Sequence, residues 1–584
     1  MKDPVSSRAG SILDADERRA AHRRTSIIAR VIRRFAVLLA ILLLSFACGR
    51  DERRAEKPTS PQAVVDDGRP QDGGTLIRRL ESDIVTLNAV SMVSIYDRHL
   101  ATLLYTPLVY LDQDLQTIPG LAKSWNVSEG GKLFRFELNE KATFSDGSPV
   151  RASDVLFTLR KIIDPAAEAV QIVGAFEHLD MARTRVLDEH TIEIAFREPR
   201  ATQLMRFNDV LVLPEHVYSK GNFRADYNHT AVGSGPYRLV KHDPGKEIIL
   251  ERREDYWAAK PPIQKVILKI IVDHGTAWNA LKRGDIDESR IASDVWMRER
   301  SNATLAKTID FRRFYTFSFN FISWNTQNEH LNDARVRRAL AMCIPIEAVI
   351  QDLFHGTARA MSGPFTPDDY AYNPNVPPVR YDPEGAKALL ASAGWRDSNG
   401  DGSLDRNGRP FKVDLLIMSG SASTAQFAQM VQAELKKIGV EIELTTLDPS
   451  VALQRIMSGN YESAYLAFEL DADPDPFSIL HSSQVPPRGQ NFSFYRNPEV
   501  DRLIDAARTE LDRSKRKELY WKIHEIVAAD QPYTFTVQVS SKWALNRRVR
   551  GVEVSRGYGL FRWLPGELGW WLPSSQRTHD RPAK

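Results

Sequence analysis

The hexapeptide Asp471-Ala472-Asp473-Pro474-Asp475-Pro476 places three carboxylates on one short stretch, and its two prolines bar a helix. Carboxylates held together on a fixed loop suit three kinds of chemistry: gripping a metal ion, receiving a ligand's ammonium, or bonding the turn's own backbone. A bare cation brought into a closed cleft costs several kcal/mol unless a counter-charge meets it. A site for a positively charged solute group therefore needs one such carboxylate. A second acidic stretch, RDSNGDGSLDRNG at 396–408, resembles a calcium loop in spacing, but Gly408 stands where the bidentate Glu would close the shell. Its flanks read as a helix before and a strand after, so the stretch is expected to be a turn with glycines at positive φ.

Motifs of the common enzymes are absent. The segment AVGSGPY has Val232 where a nucleophile elbow needs glycine, and no phosphate loop, dinucleotide fingerprint or His-Glu-x-x-His occurs. The thirteen histidines are scattered, and Cys48 and Cys343 are the only cysteines, so no cofactor and no metal centre is expected. Three segments instead interleave aromatics with Ser and Asn: FYTFSFNFISWNTQ, YESAYLAFELDADPDPFSILHSSQ and GQNFSFYRNPEVD. A strand of this kind presents an apolar face and a hydrogen-bonding face, as either a cleft wall or a core strand requires. The candidate ligand-binding residues are Asp471, Asp473, Phe468, Tyr105, Asn320, Trp324 and Tyr495.

A chain of 584 residues exceeds one ordinary core, which stops growing near roughly 250 to 300 residues. With 42% hydrophobic and 26% charged residues it has the make-up of a soluble globular protein. The net charge of +3 owes much to the N-terminal RRAAHRRTSIIARVIRR, so nothing beyond that arm argues for nucleic acid. The elements that must carry the candidate residues alternate between strand and helix. The strand FKVDLLIMSG is followed by a helix with Phe427, Met430, Val431, Leu435 and Ile438 on one face, then by VEIELTTLD. That order implies a right-handed crossover onto a parallel sheet. A second unit has two helices, the later one apolar at Leu519, Ile523, Ile526 and Val527, running into a β-rich segment at Pro532.

At the N-terminus an Arg-rich segment precedes an apolar run at 35–44, shorter than the roughly 20 residues of a spanning helix. It reads as an export signal, with the mature chain outside the cytoplasm. Cys48 just after the run resembles a bacterial lipoprotein signal, although Ser45 stands three places before it where Leu is usual. Lipidation of Cys48 is the favoured outcome, with soluble secretion and an uncleaved anchor as the others. The polar 49–72 reads as a flexible tether.

The blocks FSDGSPVRASDVLFTLRKIIDP, VGSGPYRLVKHDPGKEIILERREDYW, LNDARVRRALAM, YDPEGAKALLASAGW and DPDPFSILHSSQVPPRGQNFSFYRNPEVDRLID, in that order, resemble the family 5 extracellular solute-binding proteins. These are the oligopeptide, dipeptide and nickel-type receptors of bacterial ABC importers. The resemblance implies an α/β, two-lobed periplasmic-binding-protein fold with an extra N-terminal subdomain and two interlobe crossings. Lobe 1 is expected at 73–272 and 532–584 and lobe 2 at 273–531, with crossings near 272–274 and 531–534. The implied function is binding of short peptides for an ABC permease and its ATPases by a monomer tethered to the membrane through its lipid. No bond is made or broken. Asp471, three residues beyond Phe468 in the place where many relatives have Trp, would receive the peptide's α-ammonium, with Asp473 a rival. The alternatives are a non-peptide solute, either an oligosaccharide stacked on Phe314, Tyr315, Trp324 or Phe468 or a metal chelate, and a secreted hydrolase.

Overall fold

The computed structural model describes residues 68–577, so the expected signal, Cys48 and most of the tether lie outside the described residues. Among the described residues no helix is long and apolar enough to cross a membrane. Two mixed sheets organise the chain. The first runs, from edge to edge, Ile309–Phe314, Ser541–Asn546, Glu288–Arg290, Thr75–Leu80, Lys265–Ile270, Glu247–Arg252 and Tyr237–Asp243. Every residue of Thr75–Leu80 is buried, because this central strand is covered on both faces. Leu76 and Leu80 pack into a core shared with the N-terminal subdomain, while Ile77 faces Trp278, Leu281 and Ala544. The subdomain is a four-stranded antiparallel sheet, Ala122–Ser128, Leu133–Leu138, Thr191–Ala195 and Arg185–Asp188, closed by the rings of Phe134, Phe136, Phe196 and Phe207.

The second sheet runs Glu441–Leu447, Lys412–Met418, Ser463–Glu469, Ser318–Trp324 and Tyr533–Phe535. Lys412–Met418 and Glu441–Leu447 pair in parallel, joined by the helix Ala422–Lys436, as the apolar periodicity predicts. Phe427, Val431 and Leu435 of that helix are buried, and Gly439 turns the chain at φ 79°. This sheet too is covered twice. Ile322, Trp324 and Tyr465 enter one core, and Phe319, Phe321, Leu466 and Phe468 enter the other. The alternating segments are therefore apolar on both faces, and the later helix Arg513–Asp530 covers one face through Tyr520, Ile523 and Val527.

Sheet membership moves both crossings from their expected positions. After Lys265–Ile270 the chain does not leave, because the amphipathic helix His274–Arg283 folds back onto its own sheet through Ala277, Trp278 and Leu281. The first passage comes later, between Ile309–Phe314 and Ser318–Trp324. The second lies at Ser540, between Val537–Val539, which pairs with Ala358–Ala360, and Ser541–Asn546. Pro532 does not mark it, since Tyr533–Phe535 still pairs with Ser318–Trp324. The 396–408 stretch is a turn entering the hairpin Asp405–Arg406 and Arg409–Pro410, with Gly400 and Gly402 at φ 76° and 87°. The Asp397 carboxylate accepts from the backbone N–H groups of Gly400 at 2.7 Å and Gly402 at 3.0 Å.

Candidate functional site

A cavity of about 940 Å³ lies where the two sheets' ends face one another, and both lobes and both crossings contribute to its wall. Lobe 1 supplies Arg78 and Arg79 from the end of Thr75–Leu80, Arg98 and His99 from the helix Ile95–Leu104, and Tyr558, Arg562 and Glu567 from the C-terminal segment. Lobe 2 supplies Ser421 and Ser423 at the start of Ala422–Lys436, and Glu469, Leu470 and Asp471 at the end of Ser463–Glu469. The crossings add Phe314, Thr316, Ser318, Ser540 and Lys542.

The wall is built from matched charges. Arg78, 2% exposed, lies between Glu288, whose Oε1 it meets at 2.9 Å, and Glu567, with its guanidinium over the rings of Phe561 and Trp570. His99 Nε2 is 3.0 Å from the same Glu567 carboxylate. Burial works to raise the Glu567 carboxyl, but His99 and Arg78 outweigh it and hold it below its ordinary value. Arg290 pairs with Glu81, and Arg98 with Asp209.

The three loop aspartates diverge. Asp471 Oδ2 accepts from Arg206 Nη1 at 2.5 Å, and Arg562 Nη2 lies 3.9 Å from Oδ1. Both arginines belong to lobe 1, so the pair ties one lobe to the other across the cavity's edge. Burial favours the neutral acid, but Arg206, Arg562 and Arg98 together hold the Asp471 carboxyl well below the usual carboxylate range. Asp473 turns away into a second cavity of about 560 Å³ that it lines with Asp369, Tyr370, Arg513, Arg516 and Arg556. Its nearest cation, Arg516 Nη2, is 3.8 Å off, its Oδ1 has no hydrogen-bond partner, and burial pushes its carboxyl up to about 6. Asp475 serves the fold, accepting from Phe477 N–H at 3.0 Å and Arg508 Nε at 3.1 Å.

Of the seven residues expected to bind ligand, Asp471 alone lines the larger cavity and Asp473 lines the smaller. The remaining five are placed by packing. Tyr105 is fully buried in lobe 1, its hydroxyl donating to Leu87 O at 3.0 Å beside Tyr218 Oη at 2.7 Å. Phe468 stacks on Phe321 with ring centroids 4.4 Å apart, inside lobe 2. Trp324 is 1% exposed and donates from Nε1 to Thr534 Oγ1. Tyr495 is buried and donates to Asp530, and the Asn320 carbonyl accepts from Thr536 N–H. Phe468 and Trp324 lie on a sheet covered on both faces and have no solvent side, whereas Tyr105, at the end of the helix Ile95–Leu104, and Tyr495, just before the helix Pro498–Thr509, are packed into the lobe cores from outside any sheet. Of the aromatics proposed for sugar stacking, Phe314 lines the cavity, while Tyr315 lies beneath the Arg359 guanidinium. Sequence reasoning missed Arg98, Arg206, Arg562 and Glu567, which stand alone in unremarkable segments and meet through the fold.

The sequence profile of bacterial extracellular solute-binding proteins, family 5 (Middle), matches residues 116–489. The chain belongs to this family. Its members are solute-binding proteins that work outside the cytoplasm. Among relatives, the chain is 27% identical over 553 residues to the oligopeptide-binding protein AppA of Bacillus subtilis, covering 92% of this chain and 98% of that one. It is 26% identical over 434 residues to the nickel-binding periplasmic protein of Escherichia coli, covering 72% and 80%. The solved structure of Bacillus subtilis AppA in complex with a nonapeptide superposes with a TM-score of 0.73 at 25% identity, covering 86% of this chain and all of that one. NikZ from Campylobacter jejuni in complex with Ni(L-His) shares the fold at a TM-score of 0.73 and 24% identity, over 85% of this family 5 protein.

Proposed function

We propose that this family 5 protein is the extracytoplasmic receptor of an ABC importer, closing its lobes around a short peptide and delivering it to the permease. The cavity carries this reading: its wall is assembled from both lobes and both crossings, so a ligand inside it touches surfaces that only closure brings together. Its volume of about 940 Å³ lies near the top of the roughly 300–1,000 Å³ range of solute pockets. The similarity to an oligopeptide-binding relative over nearly its whole length supports a peptide as the solute. Binding energy realised only in the closed form shifts the population toward it. Micromolar affinity, about −8 kcal/mol, is ample to move an equilibrium poised within a few kcal/mol.

In this reading Asp471 acts as an interlobe tie through Arg206, because its charge is already met before any ammonium arrives. Export through the N-terminal apolar run and acylation at Cys48 belong to the same proposal, supported by the Arg-rich flank and the cysteine that ends the run. The protein works as a monomer. Native mass spectrometry of protein purified from its host membranes tests the reading. The expected result is short peptides released intact and a lipid mass on the cysteine. A sugar or metal chelate in their place overturns the peptide assignment, and peptide fragments accumulating on incubation indicate a hydrolase.

A further inference from the structure

The histidines are scattered through the sequence, yet the fold brings two of them together on lobe 1, outside both cavities. His242 lies near the end of the edge strand Tyr237–Asp243, and the exposed His229 lies in the segment that leads into that strand. Their Nδ1 atoms are 3.3 Å apart and their ring centroids 5.2 Å. The segment before His229 is fixed by two bonds: Asn228 O accepts from Leu87 N–H at 3.0 Å, and Phe223 O accepts from the Asn88 side chain at 2.8 Å. His242, whose side chain is 4% exposed, has its Nε2 3.2 Å from Asp83 Oδ1. Asp83 is itself held, since its carboxylate accepts from the backbone N–H groups of Ile84 at 2.8 Å and Gly245 at 2.7 Å.

These partners assign the protons. A carboxylate can only accept, so a neutral His242 gives its Nε2–H to Asp83 and turns the lone pair of Nδ1 toward His229. With no further ligand, His229 would donate its own Nδ1–H to that lone pair. The ring placement fits another occupant better. Two imidazoles bound through nitrogens about 2.0 Å from one tetrahedral zinc hold those nitrogens about 3.3 Å and their ring centroids about 5.2 Å apart. A straight N–H···N bond of the same length would put the centroids about 5.6 Å apart. A carboxylate on the far nitrogen of an imidazole is also what orients a metal-binding histidine and strengthens it as a donor.

We propose that His229 and His242 chelate a divalent cation of the zinc, nickel and copper class through their Nδ1 atoms, with Asp83 as the positioning residue. Imidazole suits those ions, whereas calcium and magnesium take oxygen ligands. Among the described residues no third His, Cys, Asp or Glu completes the set, and the nearby Asp243 and Glu247 are engaged by Lys241. Water fills the remaining positions, so the ion stays exchangeable. Its role is structural: it pins the segment before Tyr237–Asp243 to the edge strand of the first sheet and, through Asp83, to the turn after Thr75–Leu80. The site does not depend on what the cleft binds.

Calorimetric titration of zinc, nickel and copper into chelator-treated protein tests the assignment. One ion should bind per chain, copper more tightly than nickel or zinc. His229→Ala, a change at an exposed ring, should keep the wild-type melting curve in chelator and abolish the site. Asp83→Asn should weaken zinc about tenfold or more. The bound ion should raise the melting temperature of the wild type but not of His229→Ala, and the copper form should show two imidazole nitrogens by electron paramagnetic resonance. No binding by the wild type overturns the inference, as does binding that His229→Ala leaves unchanged or a copper spectrum with a single nitrogen. If the ion persists in His229→Ala, competition by peptide would place it in the cleft. Peptide binding itself should be the same in wild type and His229→Ala, so failure of either site leaves the reading of the other intact.

Discussion

Asp471 and Asp473 share one loop, are two residues apart and meet opposite fates. Asp471 is drawn toward lobe 1, where Arg206 and Arg562 hold it ionised. Asp473 is turned into the smaller cavity with one guanidinium at 3.8 Å, and there burial prevails. Beside it Asp369, 8% exposed with Oδ2 unpartnered, is pushed up to about 7 by burial and then by the Asp473 charge. Desolvation acts on all three carboxyls. The number and distance of the guanidinium groups decide the sign of the result.

The largest effect should come from removing the unmatched acid. Asp473 releases its proton near pH 4 when unfolded and at about 6 when folded, so between those values the folded state holds protons that the unfolded state has lost. Stability therefore falls as pH rises through that window, and Asp369 extends the fall toward about 7. The two interact, so the titration belongs to the pair. Arg516, Arg206 and Arg513 restrain the rise at Asp473, while Asp475 adds to it. At 1.36 kcal/mol per pKa unit, Asp473→Asn should stabilise the protein by about 3 kcal/mol at pH 8 and by nothing near pH 4. Thermal melts across that range check it. His524, pulled down to about 4 by burial, works in the opposite direction, its contribution being lost as pH falls from 6.5 toward 4, and it cancels in the difference between variant and wild type. A variant curve parallel to wild type would place the proton elsewhere.

The matched acid should behave differently. Asp471→Asn leaves Arg206 without its carboxylate, and since the Asp471 side chain is 40% exposed, solvent screening limits the cost to about 1 kcal/mol. Because the pair spans the lobes, we expect the loss to appear as a larger radius of gyration by small-angle scattering and about fivefold weaker peptide binding. Asp471→Asn should weaken free and N-acetylated peptides equally. A selective loss for the free amine would restore Asp471 as the ammonium receptor.

This contrast also shows which features could be read in advance. The strand, helix and strand around Phe427 and Val431 were legible because their signal is contiguous and periodic. So was the acidic loop, whose prolines exclude helix. The crossings were not, because residues 315–317 and Ser540 carry no proline or glycine, whereas Pro532 offers a punctuation mark that the sheet ignores. The aromatic alternation around Phe319 and Phe468 was legible as strand but not as core, since a period of two does not tell whether a second layer covers the outer face. The arginines that divide Asp471 from Asp473 lie at 206, 516 and 562, and no local spacing reveals which of them will reach the loop.

The smallest expected effect sharpens the same comparison from the rim. Arg513 stacks on Tyr370 at 4.3 Å, is exposed at the mouth of the smaller cavity, and favours the ionised forms of both Asp369 and Asp473. Being exposed and making no direct bond to either acid, it acts through a screened field of about half a kcal/mol or less. Arg513→Ala should therefore leave stability at pH 4 unchanged and move the decline in melting temperature upward by a few tenths of a pH unit at low salt. Salt of about 1 M, where the Debye length falls to about 3 Å, should erase that difference. An equal shift at both ionic strengths would mean that the arginine acts by shaping the cavity and not by its charge.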